Sequence, residues 1–325
     1  MRTSVFTSKR FWIPGVLLLI LILLATAPLY APGYTVVLLT SIFMYIILTV
    51  SWTIFSGPTG YVSLASAAFF GVGIYTAAIS GGGLPLPLVV IIGGVASFVL
   101  AILVGALTLR LRGTYFAIFT FGLVELLLYF MLWWEVNITG TTGRVIPTVD
   151  NTTVYYAILV IFVISMLTAY FIRHSEFGLA LQSIGDNEEA AAHRGVNVTL
   201  VKVATFAISA FFMGAVGAIM ATRWTYVDPK IAFNPLLSFM PVLMAIFGGM
   251  GQLYGPVIGA AFFTLLREYL TMTLAKYGIG ELYMLIFGIV LVVAIRYLPS
   301  GLVGTIQRLV QKWRKGGSAE QHANT

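Results

Sequence analysis

The polar side chains of this 325-residue sequence are few enough to weigh one at a time: 18 Lys and Arg, 11 Asp and Glu, three His and no Cys. They are densest between Arg173 and Lys202, where Asp186, Glu188, Glu189, His193 and Arg194 fall close together. The spacing there describes a short helix. Asp186 precedes Glu189 by three residues, as in a capping box, Arg194 sits where a cation favours the last turn, and Gly195 offers the left-handed residue that ends it. A helix at about 187–194 carrying those charges is too costly to place in hydrocarbon, so it lies outside any bilayer. Taken alone it reads either as a solvated connector or as a handle on which a second protein can push.

Bond-making chemistry finds no constellation to work with. There is no Gly-x-Ser-x-Gly elbow and no His-Glu-x-x-His. The lack of cysteine removes disulfides, thiolate metal sites and a cysteine nucleophile. His174, His193 and His322 are too few and too loop-bound for a metal cluster. No Gly-x-x-x-x-Gly-Lys-[Ser/Thr] occurs, so any nucleotide-driven step needs a motor in another chain. The chain reads as non-enzymatic, without catalytic or metal-binding residues and without a cofactor of its own.

A different kind of site is open to a membrane protein: a path lined by small polar groups and freed backbone. Glu125, amid Leu123 to Met131, is the clearest charge inside an apolar run, and an intramembrane acid is a functional residue by default. Arg267 and Glu268 form a later pair. Ser63, Ser66, Gly248, Gly249 and Gly251, with Gly57 and Gly60, suit either a pathway or close helix packing.

The elements that must position these residues are membrane helices. The chain is 59% hydrophobic and 9% charged, far from the quarter or so charged that a water-facing surface requires. From Phe11 to Leu109 no Asp, Glu, Lys, Arg or His occurs, enough for about four passes at about 20 residues each. Apolar runs lie at roughly 12–31, 34–55, 61–80, 86–109, 114–134, 153–172, 201–222, 235–250, 254–275 and 281–297. The predicted fold is therefore an all-α integral membrane bundle of about eight to ten transmembrane helices. The third and eighth runs are weak, the one small and polar at Ser63 to Ala68 and the other interrupted at Pro241, and are expected to be broken or re-entrant.

Residues 1–27 carry the charge and apolar pattern of a cleaved signal, but Pro28 would follow the cleavage point, and the run is read as a retained helix. The sequence divides into a tail at 1–11, a transmembrane domain at 12–298 with a polar loop at 173–202, and a basic tail at 299–325. The net charge of +7 comes from basic residues at the ends of apolar runs, which fits a cytoplasmic face rather than nucleic acid. Ten passes place both termini, Arg110, Arg112 and the 173–202 loop in the cytoplasm of a cell whose plasma membrane the chain spans. Phe55 to Phe70 and Phe247 to Phe263 also resemble one another, read either as an internal repeat or as convergent packing segments.

Several of these segments carry a further resemblance. Glu189-Ala190-Ala191-Ala192-His193-Arg194-Gly195 matches the E-A-A-x-x-x-G pattern of ABC importer permeases. The stretches starting at Val62, Leu109, Phe177, Val201 and Gly248 resemble, in chain order, the LivM/LivH-type branched-chain amino acid permeases, LivM in particular, over about Ser56 to Leu302. That resemblance implies an importer subunit for branched-chain amino acids that works by alternating access. Its implied partners are a second, LivH-like permease, two ATPase subunits that consume the ATP, and an extracytoplasmic solute-binding protein. It assigns ATPase coupling to Asp186, Glu188, Glu189, Ala190, Ala191, Arg194 and Gly195, and turns Ser63, Ser66, Glu125, Thr142, Gly248, Gly249 and Gly251 into pathway candidates. Ala65 and Ser66 stand where a Gly and a His or Gln are more usual, and Ile138 to Arg144 departs from an outer loop that more often reads Thr-Gly-Gly-Thr-Asp-Gly-Leu, which leaves the cargo open to urea or amides, nucleosides or aromatic acids. The alternative of a different class is an ion-coupled secondary transporter, against which the charge-free first hundred residues weigh.

Overall fold

A computed structural model of the chain describes residues 9–111, 113–276, 285–286, 288–289, 296 and 301–305. Helices α1 (Lys9–Tyr30), α2 (Gly33–Thr59), α3 (Ser66–Ser80), α4 (Leu86–Thr108) and α5 (Thr114–Trp134) lead into one π-helical turn at Glu135–Thr139 and strand β1 (Arg144–Val145). Helices α6 (Asn151–His174), α7 (Glu176–Asp186), α8 (Glu188–His193) and α9 (Val198–Ala221) follow. Strand β2 (Tyr226–Val227), α10 (Pro229–Ala232), α11 (Leu236–Gly248) and α12 (Tyr254–Ala275) complete the described elements. Among the described residues seven helices are long and apolar enough to cross a membrane, so the chain is a polytopic helical membrane protein. The run at 281–297, the basic tail and Arg112 fall largely outside the described residues.

Burial separates a centre from a periphery. The apolar windows of α2 and α9 are 67% and 78% buried, whereas those of α4, α5, α6 and α12 lie between 22% and 33%. The outer helices turn Leu103, Leu107, Phe130 and Tyr269 outward, as helices bathed in lipid do. Close approach at the centre depends on glycine. A Cβ on Gly73 would strike the carbonyl of Gly214, and one on Gly217 the carbonyl of Phe70, so α3 and α9 pack backbone to backbone.

The weak third run is broken, as its composition predicts. α2 ends at Gly60 (φ 71°), residues 60–65 carry no helix, and α3 is only 15 residues long. The eighth run departs from expectation, because α11 continues through Pro241 instead of breaking there. Neighbouring helices can re-satisfy the carbonyl that a membrane proline frees. The break comes before it, between α10 and Leu236, and after it, between Gly249 (φ 101°) and Leu253. The two similar segments thus share one pattern, a helix ended by a glycine of positive φ, a short non-helical passage and a new helix.

The polar loop folds into two helices instead of one, which corrects the reading of Asp186. Ser175 caps α7 by accepting from the Gly178 N–H, and Asp186 is the last residue of that helix. The N-cap of α8 is Asn187, extended at φ −160° and ψ 108°, with its side-chain oxygen 3.0 Å from the Ala190 nitrogen. The apolar face of Leu181 and Ile184 keeps residues 176–186 helical and moves the break one residue on. Gly195 does take the left-handed conformation, at φ 88°.

Candidate functional site

The broken segment is built from borrowed hydrogen bonds. Inside a membrane protein every freed backbone group needs an internal partner. Trp52 of α2 donates to the Ser63 carbonyl at 2.7 Å, and the Leu64 N–H reaches the Thr120 hydroxyl of α5 at 3.0 Å. The Ala67 N–H, in the first turn of α3, reaches Ser238 of α11 at 3.1 Å. Ser63 is also used locally, its hydroxyl accepting from Ala65 at 3.3 Å. Ser66 is 1% exposed and its hydroxyl has no partner among the described residues.

One end of the bundle gathers the polar helices. Lys202, four residues into α9, is 2% exposed, and its ammonium lies 2.7 Å from Glu188 Oε1 and 2.9 Å from the Leu109 carbonyl. Tyr61, at the start of the broken segment, donates to Glu188 Oε2 at 2.8 Å while Lys202 sits 3.3 Å from its hydroxyl and 4.6 Å from its ring centre. α7 packs so closely on the end of α2 that a Cβ on Gly185 would overlap the Pro58 carbonyl. Arg173, at the end of α6, donates to the Gly251 carbonyl. Beside it lies a cavity of about 310 Å³ walled by α2, α6 and α7, with Gln182 and Asp186 on its rim.

The opposite end is closed by the short antiparallel pair of β1 and β2. Glu135 is fully buried there. It accepts from Tyr75 at 3.1 Å and from the Gly143 N–H at 2.7 Å, with the Arg144 guanidinium 3.8 Å away and seated over the Trp134 ring.

The sequence candidates therefore divide. Glu188 is tied inward, whereas Glu189 and Ala190 are exposed on α8, Arg194 and Gly195 are exposed just beyond its end, and Ala191 is buried. Glu125, half-buried on α5, has no hydrogen bond or ion pair among the described residues. Thr142 is exposed and its carbonyl accepts from Tyr226 at 2.9 Å. Gly248 is a crossing point, since a Cβ there would meet the Gly255 carbonyl, Gly249 ends α11 at positive φ, and Gly251 borders the cavity. Arg267 donates to Tyr45 at 2.5 Å and Glu268 accepts from Tyr34 at 3.0 Å.

Lys202, Tyr61 and Glu135 escaped the sequence reading. Lys202 marked only the boundary of an apolar run, and its partners lie 14 and 141 residues away. No local pattern carries such pairs.

These residues sit in a multi-pass helical bundle with a broken central segment and with polar helices held outside its apolar body. The chain belongs to the family of the branched-chain amino acid transport system permease component, which matches residues 34–295, and is thus an ABC transporter permease. It is 26% identical over 325 residues to the high-affinity branched-chain amino acid transport system permease protein LivM of Escherichia coli, covering 88% of this chain and 74% of that one. The LivM of Salmonella typhimurium is 25% identical with the same coverage. The ribose import permease protein RbsC of Haemophilus influenzae is 27% identical over 42% of each chain. No solved structure matches.

Proposed function

We propose that this chain is the permease subunit of an ATP-driven importer that carries branched-chain, aliphatic amino acids across the plasma membrane by alternating access. The observation that carries this reading is the likeness to LivM over 88% of the chain, supported by a capped polar helix, α8, held outside the apolar body. In this reading α7 and α8 face the cytoplasm together with both termini, and the β1–β2 end faces outward. The exposed residues of α8, Glu189, Ala190 and Arg194, meet an ATPase subunit. Two ATPases, a LivH-like second permease and an extracytoplasmic solute-binding protein complete the assembly, and the nucleotide stays in the ATPases. ATP binding would favour one state of the permease pair through contacts that differ between states.

Ser63, Ser66 and Glu125 line the path in this proposal. Ser66 offers an unused buried hydroxyl, and Glu125 is a carboxylate that a second subunit or the solute's ammonium would compensate. Gly248 and Gly249 shape the crossing of α11 and α12, and Gly251 borders the cavity beside Arg173.

The test is calorimetry on the cognate binding protein with leucine, isoleucine, valine and competing solutes, followed by uptake in proteoliposomes holding the whole complex. Tight binding of the aliphatic amino acids and ATP-dependent accumulation are expected. Uptake by this chain alone, without ATP, would overturn the reading. Sugar import is the second reading, favoured by the likeness to RbsC over part of the chain, and preferential binding of a pentose would select it.

A further inference from the structure

All three hydrogens of the Lys202 ammonium are accounted for by Glu188, the Leu109 carbonyl and the Tyr61 hydroxyl. A lysine buried to 2% is costly wherever it stands, and a well-packed apolar residue would hold α9 at lower cost. Its partners show what the charge achieves. They come from α8, from the residue that ends α4 and from the first residues of the broken segment, so one ammonium joins three elements at the base of a fourth. Ala191, the one buried residue of α8, packs against Leu181, Ile184 and Val201, so that α8 rests on α7 and the start of α9 as well. Tyr61, in turn, opens the passage that runs through Ser63 to Ser66.

We infer that Lys202, Glu188 and Tyr61 form the linkage through which a displacement of α8 reaches segment 60–65, with Lys202 as the positioning residue that keeps Glu188 and Tyr61 in one unit. A push on α8 moves Glu188. Because both carboxylate oxygens are engaged, Tyr61 follows, and the start of the broken segment shifts against Trp52, Thr120 and Ser238. The linkage transmits force from the nucleotide side to the path without touching either nucleotide or solute. It rests on the importer reading.

The experiment uses the complete complex in proteoliposomes, with Lys202→Met, Glu188→Ala and the double variant. Failure of the importer reading appears in the wild-type complex as uptake that does not need ATP. Failure of the linkage appears only in the variants, against a working wild type. Each single variant is expected to retain its ATPase subunits and hydrolysis while uptake per ATP falls about tenfold, a coupling loss of ordinary allosteric size. The double variant is expected to be no worse than either single, as for residues acting as one unit. Uptake per ATP within about twofold of wild type would overturn the linkage, and so would a loss that simply tracks lost ATPase subunits, which marks a docking role.

A second readout separates transmission from packing. The chain has no cysteine, so nitroxides at Val62→Cys and Leu103→Cys are unique in a complex whose partner subunits are cysteine-free, and both sites are exposed. ATP binding is expected to change their separation in the wild-type background and not with Lys202→Met. A change that persists in the variant overturns the proposal. Should Lys202→Met fail to assemble, Glu188→Ala, whose side chain is 21% exposed, decides both measurements.

Discussion

Two carboxylate–cation pairs hold opposite ends of this bundle, and they are built in opposite senses. Between Lys202 and Glu188 the cation is buried and the acid lies on a short exposed helix, 2.7 Å apart. Between Arg144 and Glu135 the acid is fully buried and the cation's side chain 23% exposed, 3.8 Å apart. Glu135 takes its bonds from Gly143, eight residues on, and from Tyr75 of α3, so it fastens one loop onto the bundle body. Lys202 gathers groups 14, 93 and 141 residues away, from α8, the end of α4 and the broken segment. A buried acid that ties one loop to the bundle body consolidates a fixed end, whereas a buried cation that gathers three separate elements couples parts that can move. The same charge chemistry serves rigidity in one place and transmission in the other.

The sharpest way to break this contrast is to remove the buried acid. Glu135→Leu is expected to cost about 3 kcal/mol of stability, because it strands the Tyr75 hydroxyl, the Gly143 N–H and the Arg144 charge. Tryptophan fluorescence on heating should show the lower melting point, with uptake per ATP unchanged in the surviving complex. A large loss of coupling at unchanged melting point would reverse the roles assigned to the two ends.

A smaller effect is expected at the cap of α8. Asn187→Ala removes the bond to the Ala190 N–H and should destabilise that helix by about 1 kcal/mol. Titration of the ATPase subunits onto detergent-solubilised permease is then expected to show weaker association, with the melting point of the bundle barely moved. The least effect is expected from Tyr226→Phe at the fixed end, where the exposed bond to the Thr142 carbonyl is worth about 0.5 kcal/mol. A melting shift near that of Glu135→Leu would show that the strand pair, not the buried acid, holds that end.

Most of the architecture was legible in the sequence because lipid imposes it. Charge-free runs and their small-residue breaks predicted the spans and the weak third segment, since hydrocarbon tolerates nothing else. The one-residue error at Asp186 arose because Asp and Asn cap equally well and both stand before Glu189. The choice between them is made by α7, whose buried Leu181 and Ile184 extend the preceding helix to Asp186. Pro241 misled for the opposite reason, because α11 runs on through it, and membrane helices accommodate an interior proline that a local pattern reads as a break. The bonds of Lys202 and Glu135 were illegible because their partners converge only after folding.

The broken segment also sets an order on how the chain is made. The Leu64 N–H waits for a partner 56 residues further along, and the Ala67 N–H for one 171 residues further along. A ribosome delivers α2 and α3 to the bilayer long before Ser238 emerges. A 15-residue helix with an extended lead-in cannot settle in lipid as an autonomous span. Residues 60–80 must therefore be sheltered beside α2, or in the insertion machinery, until α11 arrives. The centre of this permease thus closes only after α11 has been made.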